Sequence, residues 1–170
     1  MSEAVREAIQ LNHYHLSAWY PLLTIFGYIL ILSYKKTMNL TKLEIYVSSL
    51  FALYLSIITD YLLGMTFNFY DYYDTGGDIW TPITVIPLYI LTNIVFLNYY
   101  PFHSSTLKKC LYIFIWCVYA IAWEWFAVTY TSFFNYKKWE LWYSAFIYPF
   151  LYFLLLANIK LIRRLDRKRF

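Results

Sequence analysis

Residues 110–130 read CLYIFIWCVYAIAWEWFAVTY. A bilayer core of ~30 Å needs about twenty apolar residues in helical form, and this stretch supplies them. It also carries one carboxylate, Glu124, between Trp123 and Trp125. A charge deep in an apolar helix is unfavourable by roughly 2.5–3.5 kcal/mol on insertion scales. Glu124 therefore needs partners, and the rest of the chain has to supply them.

Working outward, the same apolar character recurs in blocks. The predicted spans are about 18–34, 43–64, 79–100, 108–130 and 139–160. The chain has 170 residues, 61% hydrophobic and only 14% charged. Soluble domains carry about 25% charged residues. The fold class is all-α, a polytopic membrane helical bundle of five transmembrane helices, forming one domain over 18–160. Residues 1–17 read as a surface amphipathic helix, with Ser2 able to cap it and Val5, Ala8, Ile9 and Leu11 mostly to one side. Residues 161–170 read as a basic tail. Pro87 and Pro149 fall inside spans, so bends are expected there.

Charge sets the predicted sides. Of fourteen lysines and arginines, eleven fall in the first and third connections and the tail, and only Arg6, Lys137 and Lys138 fall on the other side. The positive-inside rule then puts the C-terminus in the cytoplasm and the N-terminus outside, in a plasma membrane. The net charge of +4 thus reads as topology control rather than as a nucleic-acid surface. Arg163, Arg164, Arg167, Lys168 and Arg169 are expected to meet anionic lipids of the inner leaflet, at about 1 kcal/mol per basic residue.

A second acid lies within a span. Counted along their helices, Glu124 sits ~21 Å and Asp60 ~25 Å from the cytoplasmic ends, so the two should reach similar depth near the outer face. Ser49, Ser56, Asp60 and Gly64 form one stripe of small or polar residues, and Cys117, Ala120, Glu124 and Ala127 form another. Membrane helices approach one another along such stripes. The candidate ligand- or ion-binding residues are Glu124, Asp60, Ser56 and Cys117, with Asp71 and Asp74 from the acidic outer loop 65–78. His13 and His15, beside these outer acids, are weak metal candidates, because HxH with scattered acids lacks a defined metal spacing. Cys110 and Cys117 lie ~10 Å apart on one helix, beyond disulfide reach.

The chain has no Gly-rich phosphate loop, no HExxH and no GxSxG, and no cofactor is expected. Three functions stay open. One is a binding or transport protein for a cation, proton or small solute. Another is a structural or assembly protein with its acids in helix pairing and another membrane protein as partner; the first reading, with only five spans, itself calls for a homo-oligomer or membrane partner. The third is a lipid-directed enzyme with Glu124 as general acid or base.

Several words of the chain carry a resemblance. They are Asp60-Tyr61-Leu62-Leu63-Gly64, the Tyr-rich outer loop, Phe96 to Phe102 (FLNYYPF), Glu124, and Trp139 to Ser144 (WELWYS). Over about 18–160 the chain resembles a family of small, uncharacterised multi-span membrane proteins from spore-forming Gram-positive bacteria. It departs at Glu140, where that family usually has Lys. The resemblance implies a plasma-membrane location and five spans, and no activity.

Overall fold

The computed structural model describes residues 16–35, 37–73 and 79–166. Most of the predicted N-terminal helix, His13, His15, Asp74, Arg167, Lys168 and Arg169 lie outside the described residues.

Five α-helices make up the described bundle: α1 (Trp19–Tyr34), α2 (Lys42–Asp60), α3 (Trp80–Tyr99), α4 (Thr106–Tyr130) and α5 (Leu141–Asp166). Four of them, α2 to α5, are long and apolar enough to cross a membrane. α1 has 16 residues and follows a single 3-10 turn, Leu16–Ala18. It runs alongside its neighbours from the level of Trp123 to that of Asn98. Its Tyr20 hydroxyl donates to the Trp123 carbonyl near the end of α4, and its exit at Lys35 reaches the Asn98 carbonyl at the opposite end of the bundle. Leu22, Leu23, Phe26, Leu30, Phe146 and Phe153 are all exposed. So many bare apolar side chains suit hydrocarbon rather than water.

Local chemistry fixes the ends. Thr41 and Glu44 form a reciprocal capping box that starts α2. Glu44 is also paired with Arg163 of α5 (Nε to Oε1, 2.6 Å), and the guanidinium lies 4.0 Å over the Phe102 ring. The Asn98 side chain accepts from the Asn39 backbone N–H at 2.7 Å. These contacts close one end of the bundle, called here the basic end. α5 continues through the predicted tail to Asp166, which brings Arg163 and Arg164 into its last turn, where cations suit the helix dipole.

The other end is closed by a feature that hydropathy does not announce. Strands β1 (Tyr70–Tyr72) and β2 (Phe134–Tyr136) pair antiparallel, with Tyr70 opposite Tyr136, Asp71 opposite Asn135 and Tyr72 opposite Phe134. Each is an aromatic–polar–aromatic triplet. The period-two pleat therefore sends four aromatic rings to one face and Asp71 and Asn135 to the other. The backbone N–H groups of Lys137, Lys138 and Trp139 all donate to the Phe69 carbonyl, which extends the join.

Candidate functional site

The site is built from Glu124 outward. Glu124 faces the bundle interior from α4 and is 3% exposed. Its Oε1 accepts from the Tyr136 hydroxyl at 2.5 Å, Ser144 Oγ at 2.8 Å and Trp139 Nε1 at 3.1 Å. Its Oε2 accepts from the Tyr148 hydroxyl at 2.5 Å. Three donors thus converge on Oε1 and one on Oε2, so both oxygens are bonded. The two tyrosine bonds have the length of charge-assisted O–H···O contacts. Trp139 Nε1 also reaches Ser144 Oγ, so the donors are cross-linked to one another.

Asp60 is set differently. It ends α2, and the chain continues as a π-helical turn, Tyr61–Thr66. Such turns are rare and occur often at functional sites. The wider turn carries Gly64 against β1. A Cβ on Gly64 would lie 3.3 Å from the Tyr70 carbonyl oxygen, so the close approach favours glycine. That approach brings the β1 tyrosines over Asp60. Its Oδ1 accepts from Tyr70 at 2.8 Å and Tyr72 at 3.2 Å, with the Tyr89 hydroxyl at 3.5 Å. Tyr72 and Tyr89 share a further bond at 2.9 Å. Oδ2 of Asp60 receives no hydrogen bond from the described residues.

Burial, then the hydrogen bond and charge of Glu124, hold the Tyr136 hydroxyl far above the usual tyrosine range. Burial, then the charge of Asp60, does the same for Tyr70, with a lesser contribution from Glu124. Both hydroxyls stay protonated and remain donors.

The two acids share one cavity of about 190 Å³. It touches an apolar cluster at the basic end (Ala52, Tyr152, Leu155) and an aromatic cluster at the ribbon end (Tyr70, Phe133, Phe134, Trp139). Asp60 and Glu124 are the charged residues lining it, with no Lys, Arg or His among the described lining residues. Ser56, Thr59 and Thr92 line it too. Each gives its hydroxyl proton to a carbonyl three or four residues back, leaving oxygen lone pairs for the cavity. Asn93, 1% exposed, also lines it; its Nδ2 donates to Ser48 Oγ at 3.1 Å, and its Oδ1 has no partner among the described residues.

The structure thus brings Asp60, Glu124 and Ser56 to one cavity and leaves the other described candidates elsewhere. Cys117 is a free, buried thiol in the apolar cluster at the basic end and is not among the lining residues. Asp71 points from the outer face of the ribbon and pairs with Lys137. The predicted stripe on α2 is corrected by one position: Ser48, not Ser49, lies on the buried face. Glu44, Ser48, Ala52 and Ser56 repeat every four residues, while position 49 is turned about 100° away. On α4 the buried residues Cys117, Glu124 and Ala127 belong to the predicted stripe. Among the described residues no group of three or more His, Cys, Asp and Glu stands together in a way that could hold a metal ion.

Reading the sequence missed the donors. Tyr70, Tyr72, Tyr136, Trp139 and Tyr148 look like ordinary members of an aromatic-rich chain. The signal available was the matched triplets Tyr70-Asp71-Tyr72 and Phe134-Asn135-Tyr136, which alternate as strands do. Comparison with family models, curated proteins and solved structures finds no match to this chain.

Proposed function

We propose that the protein is a multi-pass plasma-membrane protein that binds or carries a cation, a proton or a small polar solute in its central cavity. In this reading α1 is the fifth span, the ribbon end faces outside and the C-terminus is cytoplasmic. The observation that carries the reading is one cavity lined by two acids and by no described basic residue. The acids divide the work. Asp60 takes the solute with its open oxygen, and Glu124 holds the ribbon over the cavity. At the basic end Arg164 is exposed and Arg163 is partly committed to Glu44. With Arg167, Lys168 and Arg169 they anchor the protein to anionic lipids.

One observation favours a structural role for Glu124 alone. Both of its oxygens are bonded, by four donors in all from β2, the following loop and α5. That arrangement suits a tie between elements better than a general base, which needs an oxygen free to take a proton.

The test is thermal unfolding of purified full-length protein across pH and across sodium, potassium and calcium chloride at constant ionic strength. Solute-dependent stabilisation is expected in the parent and should be lost in Asp60→Asn. Equal response of parent and Asp60→Asn to every condition would overturn the reading.

A further inference from the structure

The cavity has more acceptors than a solvated ion requires in one place, and they are spread along it. Asp60 Oδ2 stands at the ribbon end without a partner among the described residues. Asn93 Oδ1, buried and equally unpartnered, stands further toward the basic end, at the level of Ser48. On α2 those levels are separated by three turns of helix, about 18 Å at 1.5 Å per residue. Between them the wall is mixed. The hydroxyl oxygens of Ser56 and Thr92 alternate with the apolar side chains of Leu55, Leu88 and Leu151. Tyr72, Tyr89 and Trp123 add aromatic walls at the Asp60 end.

Each property narrows the ligand. A carboxylate with a spare oxygen and no described basic residue beside it calls for positive charge. A buried amide oxygen without a donor costs free energy unless a donor fills it, and a water beyond the far end of a short chain can do so. Calcium takes six to eight oxygen ligands in one shell, and the free acceptors are too dispersed to form one. Apolar side chains between the polar stations favour a ligand with a hydrocarbon part, and aromatic rings favour an ammonium head. The volume of about 190 Å³ lies below the roughly 300–1,000 Å³ of pockets for drug-sized molecules.

We propose that the cavity binds a small, linear organic ammonium, its N–H groups on Asp60 Oδ2 and its alkyl chain running past Ser56 toward Asn93. This rests on the cation-binding reading given above and names the class of cation.

The experiment uses the full-length protein in nanodiscs and follows intrinsic fluorescence, since Trp123 and Trp139 line the cavity. Butylammonium, methylammonium, potassium and calcium chlorides are titrated at one ionic strength. Butylammonium is expected to give a saturable change and to bind at least tenfold more tightly than methylammonium, because each buried methylene contributes roughly threefold or more. Asp60→Asn should weaken butylammonium at least tenfold. Ser56→Met keeps the carboxylate and fills the space for the chain, and it too should weaken butylammonium at least tenfold. It decides the matter if Asp60→Asn fails to fold. Equal affinity for the two amines, or butylammonium binding untouched by Ser56→Met, overturns the assignment. Saturable, Asp60-dependent binding of potassium or calcium without any of butylammonium overturns the amine and leaves the broader reading standing. No Asp60-dependent response to any of the four overturns both.

Discussion

Tyr70 and Tyr136 stand directly opposite each other in the ribbon, and each gives its hydroxyl to a different acid. Tyr70 donates to Asp60 and Tyr136 to Glu124. The ladder therefore fixes the two carboxylates relative to each other although they sit on separate helices. Moving one strand by a residue would turn its own hydroxyl out of the bundle and break the pairing of the two acids, because side chains alternate with period two.

The two oxygens of Glu124 are unequally supplied. Oε2 has one donor, Tyr148, while Oε1 has three. Tyr148→Phe is therefore expected to destabilise by about 2–3 kcal/mol and Tyr136→Phe by about 1 kcal/mol, since a buried acceptor left without any partner costs most. Denaturant unfolding of both variants in detergent checks the order. A larger loss in Tyr136→Phe would contradict it.

Gly64 gives a steric test. Its Cβ position lies 3.3 Å from the Tyr70 carbonyl oxygen, close enough that the strand must give by a few tenths of an ångström. Gly64→Ala is expected to cost less than about 1 kcal/mol and Gly64→Val about 1–3 kcal/mol through overpacking. The second variant should also weaken the Tyr70–Asp60 contact, seen as faster hydrogen exchange of the ribbon amides.

The two ion pairs should behave differently. Lys137 and Asp71 join strands at the partly exposed outer face, and Lys137 Nζ also reaches Asn68 Oδ1 at 2.7 Å. A double-mutant cycle is expected to give about 0.2–1 kcal/mol, falling with added salt. Glu44 caps α2 and holds Arg163 at once. Glu44→Ala is expected to cost about 2–3 kcal/mol, because a cap and a charged hydrogen bond go together. Equal salt sensitivity of the two pairs would contradict this distinction.

Orientation is open to labelling. Lys138 is exposed at the ribbon end and His103 at the basic end. In a background with Cys110 and Cys117 replaced by serine, a membrane-impermeant maleimide on intact cells is expected to label Lys138→Cys and to spare His103→Cys. The reverse pattern would invert the topology.

Much of the bundle was legible because hydrocarbon imposes a length and a composition on each helix. The second to fifth predicted spans coincide with α2 to α5 within a few residues, and Glu124 and Asp60 were recognisable as acids in apolar surroundings. What surrounds them was not. Tyr136 and Tyr148 reach Glu124 through tertiary placement, which local periodicity does not encode. Ser48 was missed for Ser49 because the neighbours differ only by the 100° step of the helix, and both are serines. The ribbon was missed because three residues of alternation are too few to stand out in a chain with 24% aromatics.

The donors to Glu124 have one more property in common: Tyr136, Trp139, Ser144 and Tyr148 all follow it in the chain. During synthesis α4 therefore emerges from the ribosome ahead of all four. An acid-bearing helix alone in hydrocarbon carries the insertion penalty of roughly 2.5–3.5 kcal/mol. The penalty is relieved when β2 and the first two turns of α5 arrive. A chain truncated before residue 141 keeps α4 but lacks Ser144 and Tyr148, so Glu124 loses two of its four donors and α4 is expected to insert less efficiently than in the full chain.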